Sequence, residues 1–278
     1  MQLLNVGHSF DYETEKVIRI FLPFEKISIS HESIASEADA VCEIIRDGAD
    51  VFAKASVNLS GKTACETEKL PENDGKTQEL AVARCLYKCL SRITGYKSEW
   101  GILTGIRPAK LFSSLSRAGG RQFAYARFKN AYLAQDSKIS LCADTAESEE
   151  RIVSMSKPQS FSLYVSVPFC PSRCSYCSFV SHSVENAKDM IPEYLKLLER
   201  ELEVTGFIAR DLGLRLETVY IGGGTPTAVT ADGLKRLLFC VRENFDFSSV
   251  REFTVEAGRP DTVDTEKLCI IKSAGATR

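Results

Sequence analysis

"FSLYVSVPFCPSRCSYCSFVSH", residues 161–182, sets a run of β-branched and aromatic residues directly in front of three cysteines at positions 170, 174 and 177. The run reads as a β-strand. The cysteines that follow it are open to four readings: core residues, half of a disulfide framework, a zinc knuckle, or ligands of an iron–sulfur cluster.

Beyond the loop the pattern repeats. A helix-like stretch leads to "ETVYI" (217–221), a second helix, "REFTVE" (251–256) and a third helix. The first helix has Pro192 near its start and sets Leu197, Val204, Ile208 and Leu212 on one face. After Thr230, the second places Leu234, Leu237, Leu238, Val241 and Phe245 at i, i+3, i+4, i+7 and i+11. The third runs from a cap at Asp264 to Gly275 just past its end. Strands alternating with helices predict a parallel α/β sheet with right-handed crossovers, open or closed into a barrel. Three βα units are too few to close a barrel, and "SAGATR" ends at Arg278 where a fourth strand is due. Residues 161–278 are therefore expected to be the N-terminal part of a βα barrel, truncated at its C-terminus.

Residues 1–155 show mixed strand and helix signals without a βα period, which predicts a smaller α+β N-terminal domain. "CEIIRDG" to "VFAKASVNL" reads as a hairpin, helices are expected over 77–93 and through "RQFAYARFKNAYLAQ", and "SKPQS" (156–160) reads as a linker.

Lys and Arg number 35 against 37 Asp and Glu among 278 residues, and no basic run stands out to track a phosphate backbone, so nucleic acid is not an expected partner. The N-terminus lacks a signal-peptide pattern, and the apolar run "VIRIFLPF" is too short to span a bilayer, which predicts a cytoplasmic protein. In that compartment ten cysteines stay reduced. Cys85 and Cys89 sit on an apolar helical stripe and read as buried core thiols, as do Cys42, Cys65, Cys142, Cys240 and Cys269.

Three features fall at the C-terminal ends of successive strands, where α/β folds assemble their sites: the cysteine loop, "GGGTPT" (Gly222 to Thr227) and Glu256. Thiolates at C-x3-C-x2-C reach three corners of a [4Fe-4S] cube and leave the fourth iron without a protein ligand in this stretch. Zinc is the rival, with His182 completing a Cys3His set. The strand, the glycine triplet and Glu256 favour the cluster, since a zinc knuckle needs no such scaffold. Glycines after a strand let the backbone approach a ligand closely, although a tight βα turn alone accounts for them. Glu256 is either a partner for a ribose or an ammonium group or a solvated carboxylate. Tyr164 and Tyr176 are read from the pattern alone as packing aromatics.

Taken together, "YVSVPFCPSRCSYC", "GGGTPT" and "VEAGRPDT" resemble the radical SAM superfamily, and within it the anaerobic coproporphyrinogen III dehydrogenases. "WGILTGIRPAKLF" (Trp100 to Phe112), ahead of the cysteine domain, is similar to the HemZ-like branch. The resemblance implies that Cys170, Cys174 and Cys177 hold a [4Fe-4S] cluster whose open iron takes S-adenosyl-L-methionine (SAM). It implies that Tyr164 lies near cluster and SAM, that Tyr176 packs on the adenine, that Gly222, Gly223, Gly224 and Thr225 face the methionine end, and that Glu256 contacts SAM. No side chain acts as acid or base in the reaction so implied. A 5'-deoxyadenosyl radical would take hydrogen from tetrapyrrole propionates, converting coproporphyrinogen III to protoporphyrinogen IX in haem biosynthesis, with flavodoxin or ferredoxin as electron donor. Two positions depart from the family pattern: Ser166 stands where many relatives carry His, and Phe179 where a fourth Cys is common. A haem chaperone of the same superfamily and a structural zinc module are the alternative readings. Arg107 in "GIRP" reads either as a domain anchor, the favoured role, or as a partner for a porphyrin carboxylate.

Overall fold

The computed structural model describes residues 1–32, 38–70, 74–179 and 181–278. The chain divides into two compact units, Met1–Val153 and Ser154–Arg278.

The first unit opens with β1 (Gln2–Val6), α1 (Asp11–Phe21) and β2 (Ser28–Ser30), a βαβ element whose strands pair in parallel. This single element sets up no βα period, and the unit mixes parallel and antiparallel strands with helices, as an α+β reading expects. On its other side β1 pairs in parallel with β3 (Ala40–Asp47), which turns at Gly48 into antiparallel β4 (Asp50–Leu59) and then β5 (Lys62–Lys69). The sheet order is β2-β1-β3-β4-β5. The β3–β4 hairpin is the one the sequence predicts. β5, "KTACETEK", escapes that reading because charges separate its few apolar residues.

Helix α2 (Gly75–Thr94) lies on this sheet. Asp74 caps it by accepting from Lys76 N and Thr77 N, and Gly95 ends it at φ 75°. Its Cys85 and Cys89 are buried and donate to Ala53 O and Ala55 O, and burial pushes both thiols up to about 12, so they stay neutral. Cys65 and Cys269, expected in the core with them, are exposed instead. Three further helices, α3 (Pro108–Gly119), α4 (Arg121–Asn130) and α5 (Asp136–Val153), enclose a core of their own around Phe112, Phe128 and Ile139. The helix expected through residue 135 stops at Asn130.

In the second unit β6 (Ser160–Val167) is followed by two-residue β7 (Phe169–Cys170) and β8 (His182–Ser183), α6 (Val184–Ala187), α7 (Ile191–Asp211), β9 (Arg215–Gly223), α8 (Ala231–Asn244), β10 (Glu252–Val255) and α9 (Thr265–Ser273). The sheet order is β10-β9-β6, all parallel. This α/β unit is the one the alternation predicts. Thr277 N and Val255 N continue the ladder past β10 by bonding Phe253 O and Arg278 O.

One sheet face, with Val165, Val167, Val219, Ile221, Phe253 and Val255, packs on Leu195 and Leu202 of α7 and on Leu234, Leu237, Leu238 and Val241 of α8. The α8 stripe is the one read from the sequence. On α7 the expected face is wrong: Leu197, Val204, Ile208 and Leu212 are exposed, and Leu195, Leu202, Gly206 and Ala209 are buried. Small residues mark the packed side, since a Cβ on Gly206 would lie 2.5 Å from Asn244 O of α8. The predicted cap Asp264 accepts from Lys267 N, and Gly275 adopts φ 87° after α9.

At the N-terminal end of the sheet Glu217 is almost fully buried. Its carboxylate accepts from Ser160 Oγ (2.5 Å), Ser156 Oγ (2.7 Å), Arg215 (2.8 Å) and Arg251 (2.7 Å), which hold its pKa down at about 2.

Two outcomes follow. Leu237→Ala should destabilise the second unit by about 2–5 kcal/mol in denaturant titrations, because its site is close-packed. A carboxyl depressed in the folded state stabilises it above the unfolded value of about 4.3 and loses that contribution as pH falls toward the folded value. Between about pH 5 and pH 2 the thermal midpoint of the wild type should therefore fall more steeply than that of Glu217→Gln.

Candidate functional site

β6 delivers the chain to the loop, and Tyr194 of α7 fixes its end by donating to Ser166 O at 2.8 Å while meeting Phe169 edge-on at 5.1 Å. The loop closes on itself. β7 and β8 pair, His182 N donates to Pro168 O (2.8 Å), and inside the loop Cys177 N donates to Cys174 O (3.0 Å).

Cys170, Cys174 and Cys177 line one cavity of about 570 Å³ together with Tyr176, Gly223, Gly224, Thr225 and Glu256. Thus eight of the ten residues singled out from the sequence share a single space. Tyr164 and Gly222 stand beside it on the exposed face of the sheet. Tyr164 stacks on Tyr220 with centroids 5.6 Å apart and planes 14° from parallel, and a Cβ on Gly222 would come within 2.7 Å of the Tyr220 ring. His182, the proposed fourth zinc ligand, is exposed and does not line the cavity. Among the described residues no three His, Cys, Asp or Glu side chains converge closely enough to hold a single metal ion.

Two glycines are structurally required. Gly223 adopts φ 111°, a region closed to most side chains. At Gly224 a Cβ would lie 2.9 Å from Cys170 Sγ and 2.9 Å from Phe169 O, so the bare backbone is what lets the first cysteine sit against the turn. Thr225, buried beside it, donates Oγ1 to Cys170 Sγ at 3.4 Å.

Three residues that hold the site together are given no role of their own by the sequence reading. Tyr220 donates to Glu256 Oε1 at 2.5 Å, and this bond raises the phenol's own pKa. Strand alternation was the available signal, because Tyr220 pairs in register with Tyr164. Arg259 lines the cavity, donates from Nη1 to Ser172 O and Ser172 Oγ (3.1 Å each), and pairs with Asp261 at 3.2 Å. Its pKa is raised by Asp261 first, with Cys174 and Cys170 adding to the effect. Asp261 thus holds the guanidinium, and the guanidinium holds the loop between the first two cysteines. Thr227, fully buried, shares a 2.7 Å hydrogen bond with Thr262 and ties the turn after β9 to the segment after β10. Tyr176 is 88% exposed and hydrogen-bonds Cys174, which pushes the phenol's pKa up.

The arrangement sets three cysteine sulfurs beside one cation and one carboxylate. Removing the clamp should loosen the loop. Arg259→Ala is expected to raise amide hydrogen exchange in residues 171–177 about tenfold while β9 and β10 stay protected, and Arg259→Lys should restore only part of the protection, lacking the fork geometry.

Known proteins resemble parts of this chain. Residues 164–278 match the family model described as Radical SAM superfamily. Over 182 residues the chain is 36% identical to the oxygen-independent coproporphyrinogen-III oxidase-like protein HemZ of Bacillus subtilis (strain 168), covering 64% of this chain and 36% of that protein. It is 40% identical over 118 residues to the heme chaperone HemW of the same organism, covering 42% of this chain and 30% of that one. A solved structure, coproporphyrinogen III oxidase (HemN) from Escherichia coli, described as a radical SAM enzyme, is 29% identical over 41% of this chain and 26% of its own, with a TM-score of 0.37. The chain spans about a third of the length of these curated relatives.

Proposed function

We propose, from the match of residues 164–278 to the Radical SAM superfamily model, that Cys170, Cys174 and Cys177 ligate a [4Fe-4S] cluster and that the cavity they line takes SAM. The observation that carries this reading is the convergence of three thiols, a glycine turn and Glu256, from three successive strand ends, on one cavity. The donor set fits the group: three cysteines of one short loop line the cavity, Gly224 leaves room against Cys170, and the cavity offers no fourth cysteine. When bound, the cluster and SAM supply a 5'-deoxyadenosyl radical that abstracts hydrogen from a substrate.

The chain's own residues bind, orient and shield. Thr225 Oγ1 hydrogen-bonds the Cys170 sulfur, and Arg259 sets a fixed positive charge on the same cavity. Tyr220 holds one oxygen of Glu256, which leaves the other to accept from an ammonium or a ribose hydroxyl. Tyr176, on the rim, offers an exposed ring for an adenine to stack on. Gly223 and Gly224 let the main chain come close to the methionine end.

The substrate in this reading is a tetrapyrrole, and the reaction is oxidative decarboxylation of coproporphyrinogen III propionates, with flavodoxin or ferredoxin as the electron donor. Similarity to the HemZ-type protein supports it. A haem chaperone is the second reading, supported by the 40% identity to HemW.

Anaerobic reconstitution with iron and sulfide should give a brown, reducible chromophore, and Cys174→Ala should lose both it and 5'-deoxyadenosine formation while keeping the far-UV spectrum. One tightly held zinc without sulfide, or normal SAM cleavage by Cys174→Ala, would defeat the ligand assignment. With coproporphyrinogen III, SAM and a reductant, release of CO2 identifies the enzyme, whereas stoichiometric haem retention without turnover identifies the chaperone.

A further inference from the structure

The segment "WGILTGIRPAKLF", residues 100–112, contributes no residue to the cysteine cavity. It builds a second cavity, of about 510 Å³, between the start of α3 and one face of α5. Trp100, Ile106 and Leu141 give this space its apolar wall, and its charged groups are Arg107, Lys110 and Glu149. Ile106 is 92% exposed and Leu141 51% exposed, so apolar surface is held out in water here.

The wall is built in advance of any ligand. Gly101 adopts φ 57°, and a Cβ there would lie 2.1 Å from Tyr132 O, so the turn carrying Trp100 accepts only glycine. Ile102 N donates to Tyr132 O and Gln135 N donates to Glu99 O, each at 2.9 Å, which ties both sides of Trp100 to the α4–α5 connection. Pro108 then fixes the first turn of α3 and with it the positions of Arg107 and Lys110.

Among the described residues, the cations of this cavity stand without carboxylate partners, unlike several arginines of the same unit. Arg84, Arg92, Arg117 and Arg121 each pair with a carboxylate. Among the described residues, neither the Arg107 guanidinium nor the Lys110 ammonium has an ion pair or a side-chain hydrogen bond, and Glu149 has no ion-pair partner. Two cations against one carboxylate leave the wall net positive. Lys138, whose ammonium lies 5.7 Å from the centre of the Trp100 ring, adds to that potential although it pairs with Glu99.

We propose that this cavity binds a small, ring-bearing carboxylate, with the ring against Trp100, Ile106 and Leu141 and the carboxylate on Arg107 and Lys110. Its volume is that of a small-molecule site, about 300–1,000 Å³. The guanidinium fork takes a carboxylate through two parallel hydrogen bonds, while the apolar wall gives nothing to a bare inorganic anion. This inference goes beyond the function proposed for the cysteine loop and does not depend on it.

Trp100 is the chain's single tryptophan, so its emission reports from the wall of the cavity. Titrating 1-pyrenebutyrate into the intact chain should quench that emission saturably by energy transfer. The double variant Arg107→Ala/Lys110→Ala, with unchanged far-UV spectrum, should bind about tenfold or more weakly, and uncharged 1-pyrenebutanol should lose affinity to a similar degree. Glu149→Gln should bind as tightly as the wild type or tighter, a readout that stands even where the double variant misfolds. The proposal is overturned by an absence of saturable quenching, by equal affinity of the alcohol or the folded double variant, by weaker binding to Glu149→Gln, or by displacement with equimolar inorganic phosphate, which would mark a plain anion site.

Discussion

The parallel pairing of β6 with β9 sets Tyr164 opposite Tyr220 and Val167 opposite Gly223, and every feature of the cysteine cavity follows from that register. Side chains alternate along a strand, so a slip of one residue would turn Val165, Val167, Val219 and Ile221 out of the core and swing the tyrosines into it. The same slip would carry Gly224 away from Cys170, where the two are close enough that one methyl group does not fit between them. Packing against α7 and α8 thus fixes the site as firmly as it fixes the fold. The register with β10 extends the argument: Thr254 opposite Tyr220 brings Glu256, two residues further on, within reach of the Tyr220 hydroxyl.

Charge is divided between the two ends of this sheet. At the N-terminal end Glu217 is enclosed by two arginines and two serines, so a buried carboxylate is satisfied from every side and serves stability. At the C-terminal end Arg259 and Glu256 each spend only part of their bonding capacity on protein partners, and both face the cavity. A saturated network resists change, whereas an unsaturated one can take a ligand. The pattern follows the general rule for α/β folds, with stability invested below the sheet and chemistry above it.

Strong periodicity and capping made the α/β unit legible before any coordinates. The α8 stripe from Leu234 to Val241, the cap at Asp264, the β3–β4 hairpin and the cluster of cysteines, glycines and Glu256 were all readable because each rests on a local pattern or on strand-end position. What was missed depends on partners distant in sequence. The wrong face of α7 was chosen because its larger apolar residues are the exposed ones, while the packed side uses Gly206 and Ala209 to let α8 approach. Neither Arg259 nor Tyr220 is given a role by the sequence reading, although Arg259 lies within "VEAGRPDT". The first matters through Ser172, 87 positions away, and the second through Glu256, 36 positions away. Exposed Cys65 and Cys269 show that composition alone does not bury a thiol.

The sheet of the second unit has one face for the core and another of a different kind. Opposite the valines and isoleucines lie Ser162, Tyr164, Ser166, Thr218, Tyr220 and Gly222, and this face is partly solvated, with Tyr164 60% exposed. Parallel strands buried on both sides are near-continuously apolar, whereas these alternate. Small hydroxyls leave room, and the stacked tyrosines offer a flat polarisable surface whose hydroxyl end meets Glu256. Such a face is poorly suited to packing against hydrocarbon and well suited to lining a space that admits a polar ligand. The cysteine cavity opens beside it, and Glu256, which lines that cavity, is held by Tyr220 of the tyrosine pair. The residues that give the strands their alternation are thus the same ones that give the site its polarity.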